Sequence, residues 1–127
     1  MLGLNADDPI LLVDDFSTLR RIIRILLTKN GFEKIIEADD GPAALAELKN
    51  SEIKLIIADL TMPRMPGQEL LAAVREDEKR SSLPFLMMMT DEEKNGGGDQ
   101  LNDPHTRVIV KPFTKEILAE KISSFFA

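Results

Sequence analysis

The chain has 127 residues, 43% of them hydrophobic and 30% charged, enough for one soluble domain with a real core. A formal charge of -6 argues against nucleic-acid binding through a basic surface, and the lack of cysteine excludes disulfides, thiol nucleophiles and thiolate metal sites. The longest apolar run, at 83–89, is broken by Pro84 and too short for a membrane span, and Asp7 and Asp8 stand where an export leader needs basic and apolar residues; a cytoplasmic protein is expected.

In chain order, short apolar runs alternate with segments of helical spacing. Ile10-Leu11-Leu12-Val13 reads as a first strand. Leu19, Ile22, Ile23, Leu26 and Leu27 then form one helical stripe, with Ser17 as N-cap and Gly31 closing the far end. Ile35-Ile36 is a weaker second strand, followed by a helix capped by Asp40 that carries Ala44, Leu45 and Leu48. Leu55-Ile56-Ile57-Ala58 is the third strand, and a helix over about 68–79 turns Leu70, Leu71 and Val74 inward. The run from Phe85 through Met87-Met88-Met89 is the fourth strand, its methionines read as core fillers. The segment 91–103 has Leu101 as its only large apolar residue and carries Asn95-Gly96-Gly97-Gly98, so it is expected to be an acidic loop or a helix of one or two turns. Val108-Ile109-Val110 is the fifth strand, and Thr114 caps a last helix that buries Ile117, Leu118, Ile122 and Phe125. Continuous rather than alternating apolar strands, each followed by a helix, predict an α/β fold: a doubly wound, five-stranded parallel sheet with helices on both faces and the fourth helix short or absent.

Ligands of such sheets bind beyond the carboxyl ends of the strands. There the sequence places Asp14-Asp15, Asp59, Thr90 and Lys111-Pro112. Any one of these aspartates alone reads as a cap or turn residue. Together they form three carboxylates that repel unless a cation is present, and a hard divalent ion with retained waters suits that set. A carboxylate such as Asp59 can then act as a nucleophile toward a phosphoryl group, while a lysine and a hydroxyl spread the charge of the transferring group.

The motifs Val13-Asp14-Asp15-Phe16-Ser17, Asp59-Leu60-Thr61-Met62-Pro63-Arg64-Met65-Pro66-Gly67, Thr90 and Lys111-Pro112-Phe113 together closely resemble a response-regulator receiver domain, end to end. Within that family, the stretch 13–27 and the Lys111-Pro112-Phe113-Thr114 junction are most similar to the single-domain chemotaxis regulators. The resemblance implies the flavodoxin-like strand order 2-1-3-4-5. It implies one receiver domain over 1–127, with no output domain and no catalysis beyond its own phosphoryl transfer and autodephosphorylation. Asp59 would be the phosphoacceptor for a histidine kinase or its phosphotransfer domain. Asp14, Asp15, Asp59 and the backbone carbonyl of Thr61 would hold Mg²⁺. Lys111 would contact the phosphoryl group, Thr90 would swing toward it, and Pro112 would follow a cis peptide that aims Lys111 into the cleft. Thr61 and Glu92 occupy the positions that tune hydrolysis of the acyl phosphate. The output would be altered binding to a downstream protein, the flagellar motor being one candidate.

Three residues depart from the family pattern. Val108 replaces the aromatic switch residue three before the lysine, and a β-branched side chain cannot rotate as the same reporter. Asp91 follows the switch hydroxyl where a small residue is usual, and its charge should slow phosphorylation or shorten its lifetime. Asp103-Pro104-His105 replaces a small-residue turn. These departures predict intact phosphorylation chemistry with a remodelled readout. The competing readings are a pseudo-receiver scaffold that binds a partner irrespective of phosphorylation, and a phosphate sink without output.

His105 reads as a loop residue. Arg20, Arg21, Arg24 and Lys29 give the first helix a +4 stretch, between segments of -4 at 1–15 and at 91–103. That helix is either a solvated face or a dock for the phosphotransfer domain. Lys94 and Lys121 are candidate contacts of the readout face. A monomer is expected, with one of Phe125 and Phe126 left outward for a partner or a weak dimer.

Overall fold

The computed structural model describes residues 3–101 and 103–126. Five strands, β1 (Ile10–Val13), β2 (Ile35–Ala38), β3 (Leu55–Asp59), β4 (Phe85–Met89) and β5 (Thr106–Val110), form one all-parallel sheet in the order β2-β1-β3-β4-β5. Side chains alternate between its two faces. Leu11, Val13, Ile56, Ala58, Phe85, Met87 and Met89 pack toward α2 (Gly41–Asn50) and α3 (Gly67–Glu76), where Ala44, Leu48, Leu70, Leu71 and Val74 meet them. Ile10, Leu12, Leu55, Ile57, Leu86, Met88 and Ile109 pack toward α1 (Ser17–Lys29) and α5 (Lys115–Ser124), against Ile23, Leu27, Leu118 and Ile122. Two covered faces explain why β1, β3 and β4 are continuously apolar and fully buried, while the edge strands β2 and β5 are only partly so. The three methionines of β4 are wholly buried in this core.

The helix stripes are narrower than their spacing predicts. Ile22 is 48% exposed and Ile117 41% exposed, because each helix lies on the sheet along one line of contact and these residues fall at its rim. Phe125 packs against the core beneath the Arg107 guanidinium, whereas Phe126 is exposed. Ser17 does not cap α1. The helix starts one residue earlier, with Phe16 at its N-cap position and no side-chain cap, and the Asp14 carboxylate accepts the Phe16 N–H. The helix expected over 68–79 ends at Glu76, where Asp77 adopts extended backbone and caps a separate turn, Glu78–Arg80. Asp40 and Thr114 do cap α2 and α5, accepting from the backbone N–H groups of Ala43 and Ile117.

The segment after β4 is a single α-turn, α4 (Asp91–Glu93), that runs into a wider turn over Lys94–Gly98. Gly97 ends it in the left-handed region, at φ +97°, which favours glycine.

The loop between β3 and α3 is closed by the Gly67 N–H donating to the Leu60 carbonyl at 2.7 Å. A Cβ on Gly67 would lie 2.4 Å from the Asp59 carbonyl oxygen and 2.6 Å from the Met87 sulfur. Gly67→Ala is therefore expected to cost about 2 kcal/mol despite alanine's better helix propensity, because backbone must move. Urea unfolding of the two proteins measures this; equal midpoints would contradict the packing described.

Candidate functional site

The parallel register carries the polar residues into one cleft. Val13 pairs with Ala58, so Asp14 and Asp59 emerge side by side, and the Lys111 N–H extends the ladder by donating to the Met89 carbonyl. Asp14, Asp15 and Asp59 each offer a carboxylate oxygen within 4.8 Å of the others. Lys111 Nζ lies 3.0 Å from both carboxylate oxygens of Asp59. The Lys111–Pro112 peptide bond is cis.

Asp14 and Asp59 are buried, and Asp15 is exposed at the rim. Burial raises the pKa of Asp14, opposed by the hydrogen bond from the Phe16 N–H and reinforced by the charge of Asp59. Burial likewise raises that of Asp59, opposed first by its bond and charge pairing with Lys111, with the Glu93 charge adding to the rise. Asp14 Oδ2 is buried without a hydrogen-bond partner. Three converging carboxylates, one with an unpartnered buried oxygen, are a donor set that fits a hard divalent cation.

The remaining predicted residues lie around this centre in differing relations to it. The Thr61 backbone N–H favours the ionised form of Asp59, and Thr61 itself is exposed. Thr90 follows β4 directly, but its hydroxyl accepts the Glu93 N–H as the cap of α4 and makes no bond to Asp59. Asp91 and Glu92 are exposed on the first turn of α4. Val108 is half-buried on β5 and lines a groove of about 550 Å³ with Lys94, Leu101, Ile117 and Lys121. His105 is an exposed turn residue whose carbonyl accepts from Arg75. Of the first helix's cations, Arg20 and Arg24 both pair with Glu37 on β2 at 2.9 Å, while the exposed Arg21 and Lys29 make no ion pair among the described residues. Phe16 and Ile25 are exposed beside them, at 60% and 48%.

Sequence reasoning missed Glu93. Its carboxylate accepts from the Thr90 N–H at 2.8 Å and also from the Thr61 hydroxyl, so it spans the two loops that border Asp59. Burial opposes ionisation of Glu93, yet these hydrogen bonds and the Lys111 charge hold its pKa below the ordinary value. The signal was present as Thr90-x-x-Glu93, the capping-box spacing.

Both raised carboxyls hold protons more tightly in the folded chain than in the unfolded one. Their ionisation therefore weighs against folding at neutral pH, and the penalty fades as pH falls through their raised values toward 3.8. Asp14→Asn keeps the acceptor for Phe16 and removes one buried charge. It is expected to stabilise the metal-free protein at neutral pH by about 1 kcal/mol, a gain that shrinks on acidification. Thermal unfolding across pH tests this; a loss of stability at neutral pH would contradict it.

Comparison with known proteins places the fold in a family. Residues 10–123 match the model of the response regulator receiver domain family. The chain is 43% identical over 117 residues to the chemotaxis protein CheY of Pseudomonas aeruginosa, covering 92% of this chain and 94% of that one. It is 41% identical over 123 residues to CheY-3 of Vibrio cholerae, covering 97% and 95%. The solved structure of Vibrio cholerae CheY4 superposes with a TM-score of 0.81 at 32% identity, over 94% of this chain and 99% of that one.

Proposed function

The chain belongs to the response regulator receiver domain family, and we propose that it works as a phosphoacceptor switch in chemotaxis-type signalling. In this reading it takes a phosphoryl group from a histidine kinase, or from its phosphotransfer domain, on Asp59, and so changes its binding to a downstream protein. The observation that carries the proposal is the buried Asp59 carboxylate, held at 3.0 Å by Lys111 beside an Asp14 oxygen that no protein group satisfies.

Asp14, Asp15, Asp59 and the backbone carbonyl of Thr61 are the groups that would hold Mg²⁺. When bound, the ion offsets the negative charge of the three carboxylates and of the phosphoryl oxygens. An Asp59 carboxylate oxygen attacks the phosphorus of a phosphohistidine; the new P–O bond forms as the P–N bond breaks, and the electron pair stays on the imidazole nitrogen. Lys111, which holds both Asp59 oxygens at rest, is already within reach of the phosphoryl oxygens as one carboxylate oxygen is consumed. The Thr90 hydroxyl accepts the Glu93 N–H as the α4 cap and keeps its own proton to donate toward a phosphoryl oxygen. Thr61, Asp91 and Glu92, exposed at the mouth, set how water reaches the acyl phosphate.

The donor is assigned to the face of α1 next to the cleft. Phe16, Ile22 and Ile25 supply exposed apolar surface there and Arg21 an unpaired charge, a combination suited to an amphipathic helical bundle. The downstream protein is assigned to the groove between the turn after α4, β5 and α5, which Lys94, Val108 and Lys121 line.

Incubation with acetyl phosphate and Mg²⁺ followed by intact mass measurement tests this reading. The native chain is expected to gain one phosphoryl mass and Asp59→Asn none, while Lys111→Ala slows the gain roughly tenfold or more through loss of a preorganised charge. A chain that gains no mass, and shows no change in amide exchange with beryllofluoride and Mg²⁺, would be a scaffold instead.

A further inference from the structure

Two loops flank Asp59 and come from distant parts of the chain. One follows β3 and carries Thr61; the other follows β4 and carries Thr90. Glu93 joins them. One of its carboxylate oxygens accepts the Thr90 N–H at 2.8 Å and the other accepts the Thr61 hydroxyl, while its own N–H donates to the Thr90 hydroxyl at 3.1 Å. The bond to Thr61 crosses 32 positions of sequence and is not needed to cap a helix. A cap alone would leave that oxygen in water. The buried Gly98 continues the same contact, its backbone backing onto the Glu93 carbonyl and the Leu60 side chain.

Three consequences of this arrangement point the same way. The Thr90 hydroxyl is engaged by the backbone of α4, accepting the Glu93 N–H at 3.1 Å, and makes no bond to Asp59. The Thr61 loop, which borders Asp59, is tied to the start of α4 instead of being free to adjust to an incoming group. A carboxylate stands within electrostatic range of both Asp59 and Lys111, where it repels any anionic donor.

We propose that Glu93 is a latch across the mouth of the cleft: by bridging Thr61 and Thr90 it holds the resting arrangement and slows phosphoryl entry to Asp59. Glu93 is a positioning residue in this scheme, acting through the two loops and forming no bond to the phosphoryl group. The inference rests on the phosphoacceptor reading of Asp59 for its kinetic consequence. Its structural content, that the Thr61 bond restrains the first turns after β4, stands independently.

Two variants separate the bridge from the charge. Thr61→Val removes the hydroxyl and leaves both the cap and the Glu93 charge. Glu93→Gln keeps an acceptor for the Thr90 N–H and removes the charge. With acetyl phosphate and Mg²⁺, both are expected to raise the phosphorylation rate constant by roughly three- to tenfold, the range that one net hydrogen bond accounts for. Thermal unfolding should show little change in either, since the bond lies at the surface. Amide exchange of the metal-free protein supplies the second readout: protection over 91–98 is expected to fall in Thr61→Val. Exchange over 91–98 that matches the native chain overturns the latch, even if Asp59 never accepts a phosphoryl group. Loss of protection with a rate within twofold of native overturns its control of entry. Absence of phosphorylation in every variant refutes the phosphoacceptor reading and leaves the exchange result to decide the latch.

Discussion

Burying one carboxylate at the carboxyl edge of a parallel sheet, beside a second and against a lysine, is the constraint on which the rest of this molecule turns. A sheet covered on both faces has only its edges and its strand ends in contact with solvent. Its parallel register brings the carboxyl ends of β1, β3, β4 and β5 to one rim, so residues scattered from Asp14 to Lys111 become neighbours without any long loop to carry them. The core supplies rigidity for this arrangement. Ala58 and Met88, which flank Asp59 in the ladder, are wholly buried, and Gly67 closes the loop behind it.

That rigidity has an electrostatic cost. Asp14 and Asp59 stay close together with Lys111 as the nearest counter-charge, and both carboxyls have raised pKa values because burial outweighs the groups that favour their ionised forms. At the turn before β5 the chain resolves its charges more fully. Arg75 donates to Asp103, to the Leu83 and His105 carbonyls and to Thr106, fastening α3 to the turn before β5, and Asp103 is held below the ordinary carboxylate range even though burial opposes it. Two buried acidic environments of opposite sign in one small fold distinguish a structural ion pair from a site. The first keeps its donors satisfied, and the second leaves an oxygen of Asp14 without one.

Most of this was legible in the sequence because strands buried on both faces have to be apolar throughout. The five runs, the doubly wound sheet and the cluster of polar residues at the strand ends all follow from that pattern. Burial at the rim of a helix does not follow from it. Ile22 and Ile117 share the spacing of their buried neighbours, and only the line along which each helix meets the sheet leaves them outside. Ser17 shows a second limit: the helix begins one residue earlier, with Phe16 at the N-cap position, and Ser17 lies inside its first turn. Glu93 shows a third. Its pairing with Thr90 is a spacing of three and was readable; its pairing with Thr61 exists only after β3 and β4 have been laid side by side.

The segment after β4 is where these constraints meet. Its sequence is poor in apolar residues, so it has little buried surface to hold it against the sheet, and its first turn persists through the Thr90–Glu93 cap and the tie to Thr61. Those are hydrogen bonds to the mouth of the acidic cleft, worth on the order of 1 kcal/mol each. A helix fixed by several buried leucines would resist any event at Asp59. One fixed by a few such bonds is within the energy that a change of charge in the cleft can redirect. The groove that runs from Lys94 past Val108 to Lys121 begins on this same segment, so its shape is set in part by bonds made at the Asp59 end. Glycine-rich sequence and weak packing, which look like loss of a helix when read along the chain, leave the segment held chiefly by bonds that end at the acidic cleft.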